Sequence, residues 1–136
     1  MQLLLIAILA FDLAGAKTEP NLEKRSELAL ENAVSALDQV RAAYNGGNLE
    51  RLEAALAEVG ESVELAYHSL EDTGKDARRN PKFFKRAELR THELLRRLDA
   101  IREAANFEDR ALFEKLRDRV AEVDEDLIKG IMSKKK

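Results

Sequence analysis

The chain has 136 residues, a length typical of a single domain. Hydrophobic residues make up 45% and charged residues 36%, with only 2 prolines and 6 glycines, which favours long amphipathic helices over a turn-rich β fold. The net charge of −3 argues against nucleic-acid binding by the surface as a whole. The lack of cysteine excludes disulfides, thiolate metal sites and covalent haem attachment.

The N-terminal residues have the pattern of a signal peptide. The apolar run of residues 3–11 is far shorter than the roughly 20 residues of a membrane-spanning helix, and a small-x-small sequence follows at residues 14–16. We therefore predict a signal peptide over residues 1–16, and an exported mature chain, periplasmic or extracellular, with no stable membrane span. No basic residue precedes the run, and Asp12 lies near the cleavage site. The alternative is that the run forms a buried N-terminal helix of the folded domain.

The first long helix is predicted over about residues 20–45. The sequence Asn45-Gly46-Gly47-Asn48 ends it, because glycine supplies a left-handed exit and Asn48 can cap the helix that follows. Its apolar stripe recurs at helical spacing and consists of Leu30, Ala33, Val34, Leu37, Val40 and Tyr44.

The second long helix, over about residues 49–72, has the clearest pattern. Its apolar residues alternate spacings of three and four, which makes an unbroken heptad seam. The seam consists of Leu49, Leu52, Leu56, Val59, Val63, Ala66 and Leu70. Gly60 lies within this helix at a cost of about 1 kcal/mol relative to alanine, and the close approach of a neighbouring helix would explain it.

The third and fourth long helices are predicted over about residues 81–105 and 108–132. Asn80 is expected to cap the third helix, with Pro81 in its first turn. The third-helix seam consists of Phe84, Ala87, Thr91, Leu94, Leu98, Ile101 and Ala105, and the fourth-helix seam of Phe113, Leu116, Val120, Val123 and Leu127. Residues 133–136 are a basic tail that is expected to fray.

Short connections between these helices predict an all-α fold, an up-down-up-down antiparallel four-helix bundle. Residues 37–45 and 98–106 share Leu, Asp, an aliphatic residue, Arg, Ala and Asn at the same offsets. This faint repeat suggests a duplicated αα hairpin, although two helix ends under similar constraints could also converge on it.

Charge is distributed unevenly between neighbouring segments. Residues 48–72 are strongly acidic and residues 75–102 strongly basic, which we interpret as pairing across the second and third helices. Basic residues concentrate at the start of the third helix, where free N–H groups also attract anions: Lys75, Arg78, Arg79, Lys82, Lys85 and Arg86. They form a candidate site for an anion or an acidic partner. Acidic residues expected at the same end could instead neutralise them internally: Glu19, Glu23, Glu122, Asp124, Glu125 and Asp126.

The two histidines are the only side chains with metal-ligand spacing. Glu64 precedes His68 by four residues, and Glu88 precedes His92 by four, so each pair shares a helix face. The heptad frames place both histidines outward at positions f and b, away from the bundle core, so we predict no metal site. The sequence contains no motif for nucleophilic catalysis, phosphate binding or cofactor binding. We therefore predict no catalytic residue and no cofactor.

These observations predict a non-enzymatic exported scaffold or protein-interaction module. The alternative function is binding of an anionic ligand or an acidic partner by the basic start of the third helix. Apolar residues outside the seams are candidates for a partner surface: Leu22, Leu28, Leu65, Tyr67, Phe83 and Leu89. A protein partner and self-association through such a surface remain open alternatives.

Overall fold

The computed structural model describes residues 13–133, and this part of the chain is all-helical without a strand. Its elements are five α-helices and one 3-10 helix. In chain order they are α1 Leu13–Lys17, α2 Leu22–Asn45, α3 Leu49–Glu71, α4 Pro81–Ala104, the 3-10 helix Phe107–Asp109, and α5 Ala111–Met132. The four long helices begin and end within a few residues of the predicted ranges.

The starts of α2 and α3 are capped by asparagine, as their sequences indicate. Asn21 Oδ1 accepts a hydrogen bond from the Lys24 N–H at 2.9 Å, and Asn48 Oδ1 accepts one from the Arg51 N–H at 3.0 Å. Gly47, at the end of α2, has the predicted positive φ of 69°. The expected cap by Asn80 is wrong, because its side chain makes no capping hydrogen bond to α4. Asn80 instead belongs to the preceding turn, in which its N–H donates to the Asp76 carbonyl at 2.8 Å.

The helices pack as a bundle around one apolar core. The predicted seams supply most of that core, and its largest fully buried apolar side chains are Phe113, Leu37, Leu70, Leu98, Leu127, Val40, Val59, Val63 and Val120. The backbones of α2 and α3 pack most extensively. Small buried side chains line these two helices, which lets the backbones approach closely: Ala29, Ala33, Ala36, Ala43, Ala55, Ala66, Ser62 and Ser69.

The order of neighbours differs from the expected pairing of the second and third helices. The backbone of α2 lies beside α3 and α4, and that of α5 beside α4 and α3, whereas α3 and α4 make few contacts. The interpretation of charge pairing across α3 and α4 is therefore wrong: the ion pairs that α3 and α4 form with other long helices join α4 to α2 and α5, and α3 to α5. The longest of the three connections between these helices, residues 72–80, permits this arrangement because it can cross the end of the bundle.

The short helix α1 packs on α2 and α3, with Leu13 and Ala16 buried. The apolar run of residues 3–11 lies outside the described residues, as do residues 134–136 of the basic tail. Cleavage after Ala16 stays a prediction, and it would cut α1 and remove the buried side chains of Leu13 and Ala16. Between residues 13 and 133, no helix is both long and apolar enough to cross a membrane.

Candidate functional site

The six basic residues at the start of α4 divide into paired and unpaired groups. Lys75 Nζ lies 2.8 Å from Glu23 Oε2, and Arg86 Nη1 lies 2.6 Å from Glu27 Oε2. Both carboxylates belong to the first turns of α2, which lies beside α4. Part of the positive charge is thus neutralised within the chain, by α2.

The other four members of this basic cluster keep most of their charge unpaired. Arg79 has one distant partner in the connection before α4, since its Nε lies 3.9 Å from Asp76 Oδ2. Arg78, Lys82 and Lys85 form no ion pair with any carboxylate in residues 13–133. Lys82 Nζ lies 5.3 Å from the centre of the Phe83 ring, a cation–π distance. Two of the four α5 carboxylates expected to neutralise this end pair elsewhere: Glu125 with Lys129 at 3.7 Å and Asp124 with His92 at 3.3 Å.

His68 forms no hydrogen bond or ion pair with Glu64, the carboxylate that shares its helix face in the sequence. Its Nδ1 lies 2.9 Å from Glu71 Oε1, and both side chains are exposed. Glu64, the predicted partner one turn earlier, instead accepts two hydrogen bonds from Arg119 of α5. The hydrogen bonds from Arg119 hold the pKa of Glu64 below its ordinary value. His68 is therefore one half of a surface pair.

His92 lies in a cluster of three potential metal ligands that joins two helices. Glu88 and His92 share a face of α4, and Asp124 of α5 faces them. One donor atom from each residue lies within 4.8 Å of the others. Asp124 is 6% exposed, and its Oδ1 is buried without a hydrogen-bond partner in the part of the chain described. Burial, together with the neighbouring Asp124 carboxyl, raises the pKa of Glu88.

An apolar groove lies directly beside this cluster, between α4 and α5. Its volume is about 330 Å³, and its lining consists of Lys85, Glu88, Leu89, Ile128, Ile131 and Met132. Leu89 is 67% exposed and Met132 73%, while Ile128 is 41% exposed. The groove thus presents apolar side chains that the fold itself leaves uncovered.

The apolar residues predicted for a partner surface have different fates. Leu89 is exposed and lies in the groove. Leu28, Leu65, Tyr67 and Phe83 are half-buried and pack against the core. These four residues are half-buried although they lie outside the seams, because the bundle buries a wider stripe of each helix than its a and d positions. The groove instead combines Leu89 with Ile128, Ile131 and Met132 near the end of α5, which lie outside the predicted seam of that helix.

A second cleft lies at the end of the bundle where α2 and α4 end. It has a volume of about 460 Å³ and includes Tyr44, Leu49 and Leu112 in its lining. The Tyr44 hydroxyl donates to Asp109 Oδ2 at 2.8 Å and accepts from the Asn106 N–H at 2.9 Å. Through these two hydrogen bonds the Tyr44 hydroxyl holds the connection between α4 and α5 in place. The hydroxyl at this cleft therefore has a structural role.

No protein-family model, curated protein or solved structure matches this chain. Function therefore has to be inferred from the chemistry and exposure of its own residues.

Proposed function

We propose that this chain is a non-enzymatic, exported scaffold that acts through protein contacts and binds a second copy of itself through the α4–α5 groove. The observation that carries the proposal is the exposure of Leu89, Ile128 and Met132 around one continuous groove. Apolar side chains that are exposed singly are ordinary on a protein surface, whereas a contiguous set beside a groove is typical of an interface.

We also infer an up-down-up-down course for α2 to α5. The connections after α2 and after α4 are short, and each joins two helices that pack extensively on each other. Such connections favour two antiparallel hairpins. The faint sequence repeat near the ends of α2 and α4 agrees with a duplication of one hairpin, although a turn at Gly47 follows the first repeat and a 3-10 helix follows the second.

A second copy is the occupant that best fits the charges around the groove. Lys85 and Glu88 lie on the α4 side, and Glu125 and Lys129 form an exposed pair on α5. A two-fold interface places one surface patch against itself, and a rim with both signs of charge can then meet its own opposite. A strongly acidic or basic partner would be favoured by a rim of one sign.

Sedimentation velocity of the chain over a range of concentrations tests this proposal. We expect a reversible dimer in the wild type and a monomer in the double variant Leu89→Gln/Met132→Gln, because both substitutions place amides in the apolar contact. The matched control is Leu49→Gln, which changes a leucine that is 56% exposed and lies in the other cleft. This control should dimerise like the wild type.

Two outcomes would contradict self-association through the groove. One is a wild-type chain that stays monomeric at every concentration tested, which would leave the groove to a different protein. The other is a dimer that survives in Leu89→Gln/Met132→Gln and dissociates in Leu49→Gln, which would place the interface at the other cleft.

Export is tested separately by mass spectrometry of the full chain produced in a secreting bacterial host. The proposal expects the mass of residues 17–136 in the exported fraction, because the small residues at positions 14–16 suit a signal peptidase. Recovery of the intact N-terminus from the cytoplasm would contradict it.

A second candidate function, anion binding by the basic cluster, is supported by the unpaired charges of Arg78, Lys82 and Lys85. The test compares the salt concentration at which variants elute from phosphocellulose. Lys82→Gln/Lys85→Gln should elute earlier than the control Arg41→Gln/Lys115→Gln, which removes the same charge from two exposed residues elsewhere. Equal elution would show that only net charge matters and would exclude a specific site.

A further inference from the structure

A carboxylate buried between α4 and α5 carries an oxygen that nothing in the described chain satisfies. Asp124 Oδ2 lies 3.3 Å from His92 Nδ1, but Oδ1 accepts no hydrogen bond from residues 13–133. An ionised carboxylate is costly to bury without a positive or hydrogen-bonding partner. Because buried polar atoms in native proteins are nearly always satisfied, this oxygen is a position for a hydrogen-bond donor or a cation.

Glu88 and His92 face this oxygen-rich position from the neighbouring helix. Their four-residue spacing puts both side chains on one face of α4, within reach of Asp124. Among the described residues, no lysine or arginine forms an ion pair with Glu88 or Asp124. The only basic side chain that contacts either carboxylate there is His92, which pairs with Asp124. Two carboxylates close together thus carry more negative charge than their surroundings offset.

We propose that Glu88, His92 and Asp124 bind one divalent transition-metal ion. Zinc(II) and cobalt(II) are the representative ions, since one imidazole nitrogen and two carboxylate oxygens suit borderline cations. Calcium and magnesium are disfavoured because they prefer oxygen ligands alone. This site is absent from the sequence prediction, which placed both histidines outward, away from the bundle core.

The geometry already approaches that of a metal site. The 3.3 Å between His92 Nδ1 and Asp124 Oδ2 is close to the roughly 3.4 Å that separates two donors of a tetrahedral ion with bonds of about 2.1 Å. A carboxylate oxygen of Glu88 lies within 4.8 Å of a donor atom of each of these two residues. The His92 side chain is 54% exposed, so the ion has access from solvent and water can complete its coordination. A bound ion would link α4 to α5 and supply the positive charge that Asp124 lacks.

The test is a calorimetric titration of the untagged chain with zinc(II), together with the visible absorption of cobalt(II) added to the same variants. We expect one ion per wild-type chain and at least about tenfold weaker binding by Asp124→Asn and by His92→Gln. The matched control is His68→Gln, because His68 also contacts a carboxylate, Glu71, but belongs to no group of three potential ligands in residues 13–133. The control should bind zinc(II) as tightly as the wild type.

Thermal unfolding gives a second readout that does not depend on heats of binding. Zinc(II) should raise the Tm of the wild type and leave that of Asp124→Asn unchanged, since only a native-state ligand stabilises the fold. Asp124→Asn keeps the size of the side chain and removes a buried charge, so it should remain folded, as circular dichroism would show.

The proposal is overturned if the wild type shows no saturable zinc(II) site, or if Asp124→Asn binds zinc(II) as tightly as the wild type. Loss of binding in His68→Gln alone would place the site at the other histidine and would also overturn it. The groove variant Leu89→Gln/Met132→Gln retains all three ligands and should bind zinc(II) normally, so failure of self-association and failure of metal binding are separate results.

Discussion

The guanidinium of Arg119 lies directly over Gly60, so that a Cβ on residue 60 would be 2.9 Å from Arg119 Cζ and closer still to Nη1. From this position, Arg119 donates hydrogen bonds from Nε and Nη2 to the two carboxylate oxygens of Glu64, at 2.5 and 2.9 Å. Glycine thus provides the space for a bidentate ion pair between α3 and α5. The close approach that Gly60 predicted is confirmed, and a side chain of the neighbouring helix makes it.

Replacing Gly60 by alanine should produce a gain in stability that depends on Arg119. Alanine favours a helix by about 1 kcal/mol over glycine, but its methyl group would displace the guanidinium from Glu64. In an Arg119→Ala background that displacement has no cost, so Gly60→Ala should stabilise the protein more there than in the wild type. Urea unfolding of the four proteins of this cycle measures the difference. Equal effects in both backgrounds would show that Arg119 moves aside without loss.

The pair between Glu64 and Arg119 should make stability depend on acid pH. The pKa of Glu64 is below its ordinary value of 4.5, so as the pH falls the unfolded chain binds a proton first. The contribution of Glu64 is complete above its ordinary pKa and is lost as pH falls through the lower pKa of the folded state. Both side chains are more than a third exposed, which limits the effect to roughly 1 kcal/mol or less. Glu64→Gln should therefore be less stable than the wild type at pH 7 and approach it in acid. A difference that is the same at both pH values would contradict this.

Substitution of Tyr44 by phenylalanine should weaken the attachment of α2 to the connection between α4 and α5. The change removes the hydrogen bonds to Asp109 and Asn106 while keeping the ring, whose centre lies 5.5 Å from that of Phe113. We expect a loss of about 1–2 kcal/mol in the free energy of unfolding, measured in urea. Hydrogen exchange of the Asn106 amide should accelerate as well. An unchanged exchange rate would show that another group satisfies this N–H.

Tyr67 should ionise at unusually high pH. Its burial, reinforced by the nearby Glu71 carboxylate, raises its pKa from 10.0 to about 12. The unfolded chain releases this proton first, so the side chain does not alter stability below its ordinary pKa and reduces stability as pH rises towards 12. Alkaline absorbance titration should show a tyrosinate step near 12 that is absent from Tyr67→Phe. A step at the ordinary tyrosine pKa that Tyr67→Phe removes would contradict the burial effect.

Local features of the fold were predictable because local chemistry determines them. The heptad seam of α3 depends on residue spacing alone, and the cap by Asn48 and the positive φ of Gly47 follow from residue type at a helix end. Asn80 shows the limit of this reasoning. A competing turn held by Asp76 uses the residue that would otherwise cap α4.

The order of neighbouring helices was not predictable from the same patterns. A seam of leucine and valine fits almost any other seam, and a long connection lets α4 lie beside α2 instead of α3. The contact between His92 and Asp124 has the same origin, since it depends on the register between α4 and α5. The only sign of this contact in the sequence is Asp124, an acidic residue next to the apolar seam of α5. Its burial, which makes the contact chemically important, is visible only in the structure.

The longest connection joins α3 to α4, which make few contacts, so the bundle contains two extensively packed helix pairs, α2 with α3 and α4 with α5. Each half keeps its own most extensive helix pair when the peptide is interrupted near Gly74, whose positive φ of 72° marks the turn between them. The contacts of α2 with α4 and of α3 with α5 would then form the interface between two separate polypeptides. Residues 72–80 are therefore the natural point of division for a fragment-complementation experiment.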